Sequence, residues 1–160
     1  MNKSTTLVIA KLKSLNIKPL SMAKYFYEKG IVSHLFIQKL IYFSFLEGLK
    51  NNLLFFSESF QAWKHGPVLR SVFDEMINCQ SLDNMFEQVP SLKKEEVINI
   101  LERIYQEYHD YDVWDLVEKS HQGPWTKARG NLSKEEVSTN KLELKDLVTF
   151  VNGQAQIEKS

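Results

Sequence analysis

Few side chains in this sequence are suited to acid–base, metal or nucleophilic chemistry, and their spacing argues against most of it. The histidines are His34, His65, His109 and His121. No two lie four residues apart, so no helix presents the paired imidazoles of a zinc-protease motif. A zinc site would have to draw three or four ligands from distant segments. His65 and His121 each stand just before a Gly-Pro step beside an aromatic motif, which makes them the pair most able to meet. The plainer reading is a histidine that holds a turn through one ring nitrogen. Cys79 has no local nucleophile motif and reads as a buried helix cysteine. The acidic pairs Asp74-Glu75, Glu95-Glu96 and Glu135-Glu136 are sequence neighbours, which point in different directions on a helix and form no carboxylate dyad. Phosphate-cradling and nucleophile-elbow patterns are absent from a chain with six glycines. We therefore assign no catalytic residue, no metal and no cofactor, and expect a binding module, not an enzyme.

Two segments nevertheless carry more than ordinary packing. One is Ala62-Trp63-Lys64-His65-Gly66-Pro67-Val68; the other is Ser120-His121-Gln122-Gly123-Pro124-Trp125-Thr126-Lys127-Ala128-Arg129. In each, an aromatic ring sits against a Gly-Pro turn with a cation nearby. Such a tryptophan either buries its ring and gives its indole N–H to a backbone acceptor, or forms a surface anchor of the kind enriched at interfaces. The sequence favours the first.

The elements needed to position these segments are mainly helical. Leu7, Val8, Leu12 and Leu15 suggest a weak amphipathic helix over 5–15. Ser21 would cap a second, Met22 to Lys29, which Gly30 would end. Ser33 would cap a third, His34 to about Leu49, apolar nearly all round and so expected at the centre. Residues 53–63 hold two short aromatic runs around Ser57-Glu58-Ser59, the pattern of a β-hairpin. Pro67 suits the first turn of a helix from Val68 to about Cys79, and 80–92 reads as a polar loop. From Ser91 onward, Val97, Leu101, Ile104 and Tyr108 form one helical stripe. Asp112 with Asp115 starts a helix over 113–119, Gly123-Pro124 forces a turn, and Ser133 with Glu136 is a second capping-box pair. A last helix is expected from Leu144 to about Val151. The fold class is mainly α: a single compact helical domain over 1–160 with a small β-hairpin at about 53–63.

Composition narrows the function further. The 160 residues contain 20 basic and 20 acidic side chains, so the net charge is zero. That argues against a generic nucleic-acid binder, whose charge is strongly positive. The balance is uneven: residues 1–65 carry nine Lys against three Glu, whereas 66–160 carry 11 basic and 17 acidic groups. The split reads as two solvated faces, or as an electrostatic handle for a partner. The stretch Ser21 to Glu47 has helix-turn-helix proportions, with His34, Gln38 and Lys39 able to reach DNA, but its second helix is too apolar to spare a face for a groove. One cysteine excludes an internal disulfide. The apolar stretch after Lys3 is too short for a signal peptide, and Leu35 to Leu49 is too short and too polar to span a bilayer. We expect a cytoplasmic protein with no membrane partner.

Taken in order, Gln38-Lys39-Leu40-Ile41-Tyr42-Phe43, then Ala62 to Val68, then Ser120-His121 with Pro124-Trp125, resemble the Panacea-domain family, which includes SocA-type proteolytic-adapter antitoxins and GepA-type phage-associated proteins. The resemblance covers about residues 20–130. Its specificity lies in the combination; any one piece is weak. His65 stands where the family usually has Tyr, and Gln122-Gly123 fills a shorter gap before Pro124-Trp125, without the acid that usually follows the histidine.

The resemblance implies a compact helical fold with a small hairpin and an antitoxin role. Family motif positions here are Gln38, Lys39, Leu40, Tyr42, Trp63, Lys64, His65, Gly66, Pro67, Val68, His121, Pro124 and Trp125, which would hold a platform together or touch a partner. The implied partner is a cognate protein toxin encoded nearby, neutralised by direct contact. The alternatives are a proteolytic adapter that delivers the toxin to a cytosolic protease, a helix-turn-helix-like DNA-binding regulator, and a phage-associated interaction protein.

Overall fold

A computed structural model describes residues 2–159, with side chains through Gln154. Its centre is α3 (His34–Lys50), against which α2 (Pro19–Glu28), α6 (Glu95–Tyr108), α7 (Val113–Ser120) and α9 (Leu144–Lys159) all pack. Ser33 caps α3 by accepting the Phe36 N–H at 3.3 Å. From Ile37 to Leu46 every residue of α3 is buried, Gln38 and Lys39 included. The expected apolar-all-round helix is thus the hub, and its two polar exceptions have work inside the protein.

The remaining helices are α1 (Lys3–Lys11), α4 (Arg70–Asn78), α5 (Leu82–Glu87) and α8 (Pro124–Arg129). The stripe Val97, Leu101, Ile104 and Tyr108 is buried along α6, and Asp112 caps α7 through the Trp114 N–H. Among the described residues no helix is long and apolar enough to cross a membrane.

The architecture is mainly α with a small hairpin, but the strands pair differently from the sequence expectation. Leu53–Leu54 (β2) does not fold back on the following aromatic run. It pairs in parallel with Lys13–Ser14 (β1), which the periodicity places at the end of the first helix. The hairpin proper joins β3 (Gln61–Trp63) to β4 (Gly66–Val68) around Lys64-His65. Gly66-Pro67 is therefore a strand, and α4 begins two residues later than expected. Ser57-Glu58-Ser59 is a connector, and Glu58 accepts from the Ser71 N–H and hydroxyl at the start of α4. Residues 140–142 run beside β3, with Ala62 N–H on Asn140 O at 2.7 Å and Leu142 N–H on Phe60 O at 2.9 Å.

Other boundaries also move. Pro19 itself occupies the first turn of α2, so Ser21 lies within the helix and donates to Pro90 O at 2.6 Å. Ser81 caps α5, a short helix inside the expected loop. Ser133 and Glu136 close a turn with no helix behind it. Cys79 is the half-buried C-cap of α4, its thiol on Met76 O at 3.3 Å.

Candidate functional site

The three sequence motifs meet beneath the β3–β4 hairpin. From α3, the Gln38 side-chain amide grips Leu69 at both backbone groups: Nε2 donates to Leu69 O at 3.0 Å, and Oε1 accepts the Leu69 N–H at 2.9 Å. Lys39 Nζ donates to Pro67 O at 2.8 Å. These two contacts tie the strand that leaves the hairpin to the hub helix. Leu40 and Val68 are buried on either side of this joint.

Gly66 explains itself by both space and conformation. Its φ is +105°, and a Cβ there would stand 2.8 Å from Lys39 Cε and closer still to Ser120 Oγ. The strand can approach α3 and α7 this closely only without a side chain. Ser120 turns its own hydroxyl to Val117 O at 2.6 Å.

The second motif clamps the other strand. Pro124 opens α8, which places Trp125 under the hairpin, where its indole N–H donates to Trp63 O at 2.7 Å. Arg129, one turn further, is almost fully buried. It donates to Ala62 O at 3.0 Å and to Ser133 O and Glu136 O at 2.7 Å each, with its guanidinium 5.1 Å from the centre of the Trp125 ring. A delocalised cation of this kind suits a site made of carbonyl dipoles and an aromatic face. Arg129 stands in the second motif without a local pattern that assigns it a role; its signal in the sequence is its place one turn after the Pro-Trp step.

The electrostatics follow from enclosure. Lys39 is fully buried beside a single carbonyl acceptor, and loss of water brings its ammonium down to about 7. His121 stacks on Trp125 at 3.8 Å with near-parallel rings. Burial first, and then the positive charges of Lys39, His65, Lys134 and Arg129, lower it to about 4. Its Nε2 is buried without a hydrogen-bond partner among the described residues. His65 is thus near enough for its charge to act on His121, yet each faces its own tryptophan, His65 meeting Trp114 edge to face at 5.1 Å.

The outward side differs in kind. Lys64 at the hairpin turn is exposed and pairs with Glu135 at 2.8 Å. Trp114 is 55% exposed. Trp63 gives its indole N–H to Gln61 Oε1 at 2.8 Å and lies between Phe73 and the Arg70 guanidinium. Neither Trp114 nor Arg70 belongs to a sequence motif; Arg70 opens α4 directly after β4, whereas Trp114 is brought to the hairpin by the fold. Tyr42, from the first motif, does not join the joint's hydrogen bonds; its ring packs on Phe60.

The charge split also takes a structural form. Lys13 faces Glu96, Lys29 bonds Glu102 at 2.8 Å, and Lys64 bonds Glu135, each pair joining the basic first part of the chain to the acidic remainder. Some of the asymmetry is spent within the fold.

The interior joint is one that only a particular set of residues can build: an amide and a lysine on the hub helix, a Gly-Pro strand, and a Pro-Trp helix carrying a buried arginine. Neither the curated proteins nor the solved structures contain a match to this chain. The family model described as antitoxin SocA-like, Panacea domain, matches residues 37–126. That span begins one residue before Gln38 and ends one after Trp125, enclosing the three motifs and more than half of the chain, so the protein belongs to the SocA-like antitoxin family of Panacea-domain proteins.

Proposed function

We propose that this protein is the antitoxin of a toxin–antitoxin pair and neutralises a cognate small protein toxin in the cytoplasm by binding it, without catalysing a reaction. Family membership supports the antitoxin role in general. The observation that carries the mode of action is the direction of the motif side chains. Gln38, Lys39, Trp125 and Arg129 spend their polar groups on backbone carbonyls inside the fold. The motifs thereby stiffen a platform, and recognition falls to the surfaces around it, such as the hairpin turn with Lys64, His65 and Trp114. A pre-organised platform binds with less ordering cost than a mobile one.

The test is growth of a host expressing each adjacent gene, with and without this protein. One neighbour is expected to arrest growth, co-expression to restore it, and the pair to co-purify. If no neighbour is toxic, or rescue fails, the antitoxin reading fails. Rescue accompanied by protease-dependent loss of the toxin would replace occlusion with delivery to a protease.

A further inference from the structure

One face of α7 packs against nothing among the described residues. Leu116, Val117 and Ser120 are buried against the rest of the fold, whereas Trp114, Asp115 and Glu118 are exposed. Glu118 stands four residues after Trp114 and three after Asp115, so the three share that outward face. The corner that leads into α7 continues it, because Asp110, Tyr111 and Asp112 are exposed as well. Trp114 is 55% exposed and Tyr111 45%, a large aromatic area to leave in water. Trp114 meets His65 edge to face, so the surface runs on to the hairpin turn.

The charge beside these rings has one sign. No lysine or arginine occurs between Arg103 and Lys119. None of Asp110, Asp112, Asp115 and Glu118 joins a salt bridge among the described residues. Asp112 and Asp115 have a local use as the cap and first turn of α7, where the helix dipole favours an acid. Glu118 has no such use. It lies in the last turn, where the dipole disfavours an acid, and it neighbours Asp115, a like charge. Lys119 has the spacing to pair with Asp115, yet its ammonium lies over the Tyr108 ring at 5.9 Å. The basic first part of the chain offers less: Lys13, Lys29 and Lys64 are paired within the fold and Lys39 is buried. The complement of this face is therefore a cation that can also cover an aromatic ring.

We infer that the outward face of α7, with the corner before it, docks a basic segment of the partner protein centred on an arginine. The inference rests on the reading of the protein as a toxin binder. The guanidinium covers the Trp114 ring and bonds Glu118, and a second cation meets Asp110 and Asp112 beside Tyr111. Arginine suits the position better than lysine, because its planar cation both stacks on an indole and matches a carboxylate at two atoms. Tryptophan, tyrosine and arginine are also the side chains on which interface energy concentrates.

The face is tested first without the toxin. The peptide acetyl-Ala-Arg-Ala-Ala-Arg-Ala-amide is titrated into the full-length ¹⁵N-labelled protein, with the same peptide carrying glutamate for arginine as control. The arginine peptide alone should shift the Trp114 indole and the amides of 110–118, saturably, and high salt should weaken it about tenfold. Glu118→Lys should abolish those shifts, whereas Glu75→Lys, the same change at an exposed position of α4, should leave them. Shifts absent, spread over other acidic surfaces, or equal for the glutamate peptide would overturn the face. Glu118→Lys removes a like-charge neighbour and suits the helix dipole, so its melting temperature should equal or exceed the parent's. A lower one would overturn the premise that Glu118 lacks a partner. In the growth assay, Glu118→Lys should lose rescue and co-purification while the parent and Glu75→Lys keep both. Full rescue by Glu118→Lys overturns the docking face and leaves the antitoxin function standing. If the parent itself fails to rescue, the antitoxin function falls, and the peptide titration alone decides whether the face takes a basic segment.

Discussion

Lys39 is fully buried on the hub helix, with no carboxylate beside it among the described residues, although lysine is rarely found in a protein interior unpaired. Its use is positional: Nζ holds Pro67 O, while Gly66 packs against its Cε. The joint therefore depends on Gly66 more sharply than on any single hydrogen bond. Gly66→Ala asks for a Cβ where Lys39 and Ser120 already stand, at a backbone angle unfavourable to any side chain. We predict a loss of about 2 kcal/mol or more by chemical denaturation, since strain and overpacking each cost on the order of 1–3 kcal/mol. A variant as stable as the parent would show that the strand does not approach α3 this closely. Trp125→Phe keeps the ring stack on His121 but removes the indole N–H from Trp63 O. It should cost about 1 kcal/mol, the share of one hydrogen bond to a part-buried carbonyl, together with accelerated amide exchange in the hairpin.

At the scale of elements, the long periodic helices were readable because their periodicity is also their packing. The α6 stripe and the Ser33 and Asp112 caps are local signals with local consequences. The strands were not readable for the opposite reason. Leu53 finds Lys13 across two intervening helices, and that choice is made by how α2 and α3 dock, not by the residues between Leu53 and Trp63. Gly-Pro reads locally as a turn, but tertiary bonds from Gln38 and Lys39 hold it extended. The same bonds explain the candidate site: its motifs were visible as motifs, while the contacts among them, and the roles of Arg129, Trp114 and Tyr42, arise only where distant segments converge. Gly48 shows the docking constraint inside a helix. A Cβ at this position would lie 2.8 Å from the Phe55 ring, which is itself fully buried. Gly48→Ala should therefore destabilise the protein, although alanine favours an isolated helix by about 1 kcal/mol. A rise in the melting temperature would mean that the ring has room to move.

Across the whole molecule, Glu102, His121 and Lys39 carry the largest of the downward shifts that make stability rise with pH, and His34 and the exposed Glu135 act in the same direction. Glu102, hydrogen-bonded by Lys29, Tyr25 and Gln106, is held down at about 2. His121 is brought to about 4 by burial, and Lys39 to about 7. In each case the unfolded chain binds the proton more tightly than the folded one, so stability rises with pH between the folded and unfolded values. The windows run from about 2 to 4.5 for Glu102, from 4 to 6.5 for His121 and from 7 to 10.5 for Lys39. Glu102 is partly exposed, so solvent screening makes its share the smallest of these three. Above pH 10 the sign reverses, because burial raises Tyr25, Tyr42 and Tyr108 beyond their ordinary value and the folded state then holds the protons. Maximum stability should accordingly lie near pH 9–10 rather than in the usual range of about 5–8. Urea denaturation at intervals from pH 4 to 11 measures this directly. Between pH 7 and 10, Lys39 should contribute a slope of up to about 1.4 kcal/mol per pH unit. Lys39→Met keeps the length of the side chain, removes the titrating group and should flatten that limb alone, leaving the acid limb of His121 in place. A maximum below pH 7, or an unchanged alkaline limb in the methionine variant, would mean that the Lys39 ammonium is charged and solvated, and that the joint beneath the hairpin is open to water.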